Sequence, residues 1–274
     1  MPVSALLLAG AAAFLHAAWN LIVAQARDPQ AAAAVAAVTG CAFLVPTAAL
    51  MWDVSPAAVP YIAASALLHV VYFATLAGGY ELGDLSSVYP LARGSAPVLV
   101  LVVSLVALGA DLSTASVLGV VAIGTGIVAI RGLRRGADGR AVALALVCGM
   151  TIAAYTLVDK EGLKHAEPIP YLAAMQVLPA TVYLYLTRRL RGAAAIQAAI
   201  GRLTLVAGVA MMAAYALVLA ALQLAPAAPV SAVRESSVLL ATAYAAVATH
   251  ERVGPWRLAG AVAITAGIAA IALG

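Results

Sequence analysis

The sequence predicts an all-α integral membrane protein, with ten transmembrane helices arranged as a five-plus-five inverted-topology repeat around a central cavity. Three observations carry that expectation. The 274 residues are 65% hydrophobic and 9% charged, with a mean hydropathy of +1.05, whereas a soluble domain carries about 25% charged residues. Pro, Gly and charge clusters divide the apolar sequence into ten runs, each near the ~20 residues that a bilayer core requires. The two halves of the chain also align with one another.

The runs span residues 3–24, 31–52, 58–79, 84–108, 113–131, 141–158, 168–187, 203–223, 227–249 and 255–273. No basic leader with a small-residue cleavage site precedes the first run, so it is read as the first membrane helix. Cys41 and Cys148 both fall inside apolar runs, where a thiol behaves as a small hydrophobe. They imply neither a disulfide framework nor a metal site.

The net charge of +4 forms no continuous basic patch, so it reports topology and no nucleic-acid partner is expected. The odd-numbered loops carry Arg27, then Arg131, Arg134, Arg135 and Arg140, then Arg188, Arg189, Arg191 and Arg202, then Arg252 and Arg257. The even-numbered loops carry only Lys160 and Lys164. Under the positive-inside rule this bias puts the odd loops in the cytoplasm and both termini outside it. The expected location is a bacterial cytoplasmic (inner) membrane.

The remaining two basic residues, Arg93 and Arg234, lie within runs and expose the repeat. Sliding the chain by 141 residues lays Arg93 on Arg234, Ser95 on Ser236, and GVVAIGTGIVAI (119–130) on GAVAITAGIAAI (260–271). Eight of those last twelve positions are identical. A shift of 136 lays AAWNLI (17–22) on AAYTLV (153–158), pairing Trp19 with Tyr155. Each repeat, 1–135 and 136–274, then holds five spans. An odd number makes the second half enter the membrane upside down, which is the plan of secondary transporters with a site near midplane.

The segments LHAAWN, YPLARGSAP and RESSVLLATAYAAVATHERVGPWRLAGAVAITAGI together resemble the EamA branch of the drug/metabolite transporter (DMT) superfamily, over nearly the whole chain. The resemblance implies transport by alternating access, through a central cavity lined by spans one, three, four, six, eight and nine. Phosphate-translocating members of that superfamily place basic residues in the corresponding fourth and ninth spans, which makes Arg93 and Arg234 candidates for an anion site.

An arginine at the centre of a membrane helix costs ~2.5–3.5 kcal/mol on insertion scales, so both must face protein or water. Read as ligands, the two guanidinium groups clamp a carboxylate or phosphate with forked donors. Read as structure, they pair with Glu235, Glu81 or Asp84. Pro90, Gly94 and Pro97 around Arg93 suggest a broken helix, because each proline removes a donor and irregular backbone at depth belongs beside a cavity. Glu235 and Glu81 are the proton-coupling candidates.

His16, Trp19 and Asn20, at spacings of three and four, share one helix face. With Tyr72, Tyr89, Tyr155 and Tyr215 they are candidate substrate contacts, and aromatic faces near an anion clamp suit a zwitterion. His69, His250 and Glu251 are weaker candidates, and DKEGLKHAE (159–167) reads as a polar loop.

No D-x-x-x-D or H-E-x-x-H pattern and no Walker loop stands in the sequence, so no enzyme activity, metal, cofactor or ATP drive is expected. The expected function is secondary transport of a small polar metabolite with an anionic group, an amino acid or similar zwitterion. Organic phosphates, lipid-linked intermediates and hydrophobic cations are the alternatives. The expected partners are that substrate and membrane lipid, the chain acting as a monomer or homodimer. Reporter fusions check the topology: alkaline phosphatase should be inactive at Arg135 and active at Gly274, and the reverse pattern would overturn it.

Overall fold

A computed structural model describes the backbone of residues 1–82, 85–131, 139–248 and 254–273. Within these it leaves out the side chains of 76–82, 85–91, 130–131, 141, 241–242 and 245–248. The described chain is helical: α1 (Val3–Ala24), α2 (Pro29–Leu50), a 3-10 turn (Pro56–Ala58), α3 (Val59–Leu82), α4 (Leu85–Val106), α5 (Thr114–Arg131), α6 (Gly139–Gly162), α7 (Pro168–Arg191), α8 (Ala193–Ala199), α9 (Arg202–Leu224), α10 (Ala227–Glu235), α11 (Ser237–Ala248) and α12 (Pro255–Leu273). Among the described residues, seven stretches are long and apolar enough to cross a membrane, and Ala92–Val106 and Thr114–Ala129 are shorter apolar helices.

Local chemistry sets the helix ends. Asp28 accepts from the Gln30 and Ala31 amides at 3.1 Å each ahead of Pro29, so α2 starts with an N-cap and a proline at its first position. Gly192, at φ 85°, ends α7 in a left-handed conformation that a side chain would strain. Inside the spans, Thr39, Thr125 and Thr156 return their hydroxyls to carbonyls one turn back, which satisfies a polar group where no water is at hand.

The packing puts small residues inside and large ones outside. Along α1, Ala5, Ala9, Ala12 and Ala13 are buried while Val3, Leu7 and Phe14 are exposed. That suits a bilayer, where lipid tails solvate leucine as well as protein does and close backbone approach drives association. On α5 and α12, a Cβ on Gly119 would lie 2.7 Å from the Gly267 carbonyl oxygen, and one on Gly126 would lie 2.7 Å from that of Gly260. The other main pairings are α1 with α9, α3 with α6 and α7, α4 with α5, α6 and α10, and α2 with α7 and α9. The Met1 amino group donates to the Ile271 carbonyl at 3.4 Å, so both chain ends lie at one end of the bundle.

Three sequence expectations change. The fourth run is not broken: α4 continues through Pro90, Gly94 and Pro97, as membrane helices do when local adjustment satisfies the carbonyls that prolines free. Gly94 faces α5, where a Cβ would sit 3.0 Å from the Gly124 carbonyl. The ninth run, expected as one helix, divides into α10 and α11 at Ser236, whose amide and hydroxyl both donate to the Val233 carbonyl and tighten the last turn. The 159–167 segment is no loop throughout, because α6 runs on to Gly162 and buries Asp159.

The small-residue contacts predict a contrast between two like substitutions. Gly267→Ala drives a methyl against the Gly119 carbonyl at 2.6 Å and should lower stability by about 1–3 kcal/mol. Gly10→Ala meets nothing within 4 Å and should match or exceed the parent. Equal melting points of the two variants in detergent would contradict this packing.

Candidate functional site

A cavity of about 690 Å³ runs between the helices, lined by residues of α1, α2, α3, α4, α6, α7, α9, α10 and α11. Its mouth holds Arg27, Asp28, Pro29, Gln30 and Arg191, and there the Arg191 guanidinium donates to Gln30 Oε1 at 3.0 and 2.9 Å. The far end of the bundle is closed. Val54 and Ala166 form an antiparallel bridge, with the Ser55 amide donating to the His165 carbonyl at 2.9 Å and the Glu167 amide to that of Asp53 at 3.1 Å. The Tyr61 and His165 rings stack at that end, 5.8 Å between centroids.

Arg93 and Arg234 line the cavity together and share one carboxylate. Arg93 Nη1 donates to Glu235 Oε1 and Oε2 at 3.2 and 3.3 Å. Arg234 donates to Glu235 Oε1 through Nε at 3.0 Å and Nη2 at 2.8 Å. Arg93 Nη2 also donates to the Tyr72 hydroxyl at 3.1 Å. The three charged residues are 5%, 3% and 1% exposed, so their charges meet largely out of water. The anion held between the arginines is thus Glu235, the pairing that the sequence left open. Nine residues of α10, Glu235 among them, are buried on every side of that helix.

Aromatic side chains form the rest of the wall. His69 stacks on Tyr155 at 4.0 Å, and the Tyr72–Tyr155 and Tyr155–Tyr215 pairs meet edge-on at 6.2 Å. Phe73 stacks on Tyr183 at 4.6 Å. On α1, the His16 and Trp19 rings meet edge-on at 5.1 Å, and Asn20 donates back to the His16 carbonyl at 2.7 Å. His16 Nε2, Trp19 Nε1 and Gln176 Oε1 are buried polar atoms of the wall that have no hydrogen-bond partner among the described residues. A buried polar atom of this kind is costly unless a ligand or water meets it.

Of the residues expected at the site, the cavity brings together Arg93, Arg234, His16, Trp19, Asn20, Tyr72, Tyr155 and Tyr215. Gly94 packs helix on helix, and Pro97 stands within α4. The side chains of Glu81, Tyr89 and Pro90 lie outside the described residues, as do Asp84, His250 and Glu251. His69, a weaker candidate of the sequence, lines the wall, and Phe73, Gln176 and Tyr183 join it unexpectedly. A signal existed for two of these three: Phe73 adjoins Tyr72 on α3, and Gln176 is an amide inside an apolar run.

The sequence model of the EamA-like transporter family matches residues 139–273. A solved crystal structure superposes on the chain with a TM-score of 0.78 at 17% sequence identity, covering 100% of this chain and 98% of that one, a likeness of fold. No curated protein matches in sequence.

The shared carboxylate makes the two halves of each pair unequal. Glu235→Gln strands two buried guanidinium groups and should cost about 3–5 kcal/mol or more. Arg93→Gln leaves Arg234 and Glu235 as a neutral pair and should unfold near the parent's temperature. Thermal unfolding of both purified variants checks the order, and a less stable Arg93→Gln would contradict the arrangement.

Proposed function

The chain belongs to the EamA-like transporter family of the DMT superfamily, and from that premise we propose that it carries a small metabolite with one anionic group, an amino acid or similar zwitterion, by alternating access. The guanidinium groups at the cavity wall carry this reading. Arg93 and Arg234 both line it, and forked donors of this kind suit a carboxylate of the cargo. A hydrophobic cation finds the Glu235 carboxylate already occupied by the arginines.

The aromatic wall suits the remainder of such a cargo. Tyr72, Tyr155 and Trp19 offer ring faces to an ammonium or an apolar side chain. His16, Trp19 and Gln176 offer polar atoms that meet no partner among the described residues. The volume of about 690 Å³ lies within the usual range for small-molecule sites.

In this reading residues 1–135 and 136–274 are inverted repeats of five spans, with α10 and α11 together making the ninth. The helix pairings support it. Exchanging α1 with α6, α2 with α7, α3 with α9, α4 with α10 and α5 with α12 turns the α1–α9 contact into α6–α3 and the α2–α9 contact into α7–α3, both present. The same exchange turns the Gly119–Gly267 contact into Gly260–Gly126, also present. Arg27 and Arg191 at the mouth support a cavity open to the cytoplasm, with both termini outside.

A thermal-shift screen tests the substrate class, because a ligand that binds only the folded state raises its melting point. Amino acids or monocarboxylates should shift the protein, and phosphorylated metabolites should shift it less. Arg93→Gln should weaken binding about ten- to a hundredfold, the worth of one charge-assisted contact. Arg93→Lys should restore only part, since an ammonium cannot reproduce the planar fork. Shifts by hydrophobic cations alone would overturn the reading.

A further inference from the structure

Asp159 takes no part in the cargo site, yet it is 0% exposed inside a span. Its Oδ1 accepts from the Tyr171 hydroxyl at 3.0 Å and its Oδ2 from the Tyr215 hydroxyl at 2.5 Å. These two donors stand on α7 and α9, so one carboxylate of α6 gathers two other helices. Among the described residues no cation ion-pairs with it. Arg234 acts on it through space, and neighbouring Lys160 is directed to the Leu222 and Ala225 carbonyls.

Its position is between the cavity and the closed end. The Tyr215 ring lines the cavity while its hydroxyl reaches Asp159. Tyr171 packs against Gly162 beside Tyr61, whose ring stacks on His165 at the closed end. Above Asp159, Tyr155 and His69 stack on one another and meet Tyr215 edge-on.

We propose that Asp159 is the proton-binding site of this carrier, loaded from the cavity by way of Tyr215 and holding the far end closed while it is ionised. A carboxylate that accepts from tyrosines on two helices makes charge-assisted bonds, roughly twice as strong as neutral ones. A proton taken up on Oδ2 turns that oxygen into a donor, so Tyr215 must turn to accept and the bond to Tyr171 becomes neutral. The tie from α6 to α7 and α9 then loosens. When the far end opens, the same proton leaves on that side. Hydroxyl partners can donate to the anion and accept from the acid, which fits them to both states. Glu235 lacks that freedom, because its neutralisation removes the anion to which the buried Arg234 donates twice.

The inference rests on alternating access and not on the cargo's class, so its test uses no cargo. Spin labels at Ala57→Cys and Lys164→Cys, both exposed, would flank the closed end in full-length protein whose Cys41 and Cys148 are replaced by alanine. Acidification from about pH 8 to about pH 5 should add a longer distance to the distribution. Asp159→Asn should show the longer distance at both values. Asp53, Glu161, His165 and Glu167 are the other ionisable groups at that end, so a pH response that survives in Asp159→Asn overturns the proposal, as does an unchanged parent. Where Asp159→Asn fails to fold, infrared difference spectra of the parent between the same pH values decide. A carboxylic C=O band that shifts in Tyr215→Phe and Tyr171→Phe supports the site, and a band indifferent to both overturns it.

Discussion

The shared carboxylate of Glu235 between Arg93 and Arg234 is the interaction on which the remaining arrangement depends. Each guanidinium brought alone into an apolar bundle would be costly, and one anion between two cations makes both tolerable. The pairing joins α4 to α10 across the two halves of the chain. It also explains why a helix bearing two charges can be buried on all sides. Both guanidinium groups line the cavity, so the same side chains that tie the helices also present donors to whatever enters it.

Around that centre the helices associate through smallness. Glycine and alanine let α5 approach α12, and α2 approach α9, until backbones touch. With no hydrophobic drive separating leucine from lipid, contact area of this kind and satisfied polar groups hold a membrane bundle together. The bulky residues go to the lipid face, as Leu7, Phe14, Leu203 and Val262 do. The aromatic residues that do turn inward gather at the cavity, where they stack on one another and leave space between the walls.

The two ends of the cavity differ in how they are built. The mouth is lined by charged and amide side chains, held by contacts on exposed residues that are individually weak. Among the described residues the far end is held by a β-bridge with two backbone hydrogen bonds beside it, a ring stack and the tyrosines on Asp159. Val54, Ala58, Leu163 and Ala166 also pack into the apolar core there. Glycine-packed helix pairs beside that end are what the proposed rocking of halves would turn on.

What the sequence determined by itself is what depends on neighbours along the chain. Hydropathy, prolines and charge runs located the apolar helices, and the spacing of His16, Trp19 and Asn20 put them on one face, since helix geometry is local. The depth of Arg93 and Arg234 was legible because a charge inside an apolar run has few places to go. Tertiary structure decided the rest. Proline and glycine content pointed to a break in α4, yet α4 is continuous and the ninth run breaks at Ser236, because whether a freed carbonyl is satisfied depends on what packs beside it. Asp159 looked like the start of a polar loop. It is buried because Tyr171 and Tyr215, distant in sequence, bring hydroxyls to it. The place where α6 leaves the apolar interior is set by those partners, and no local pattern records them.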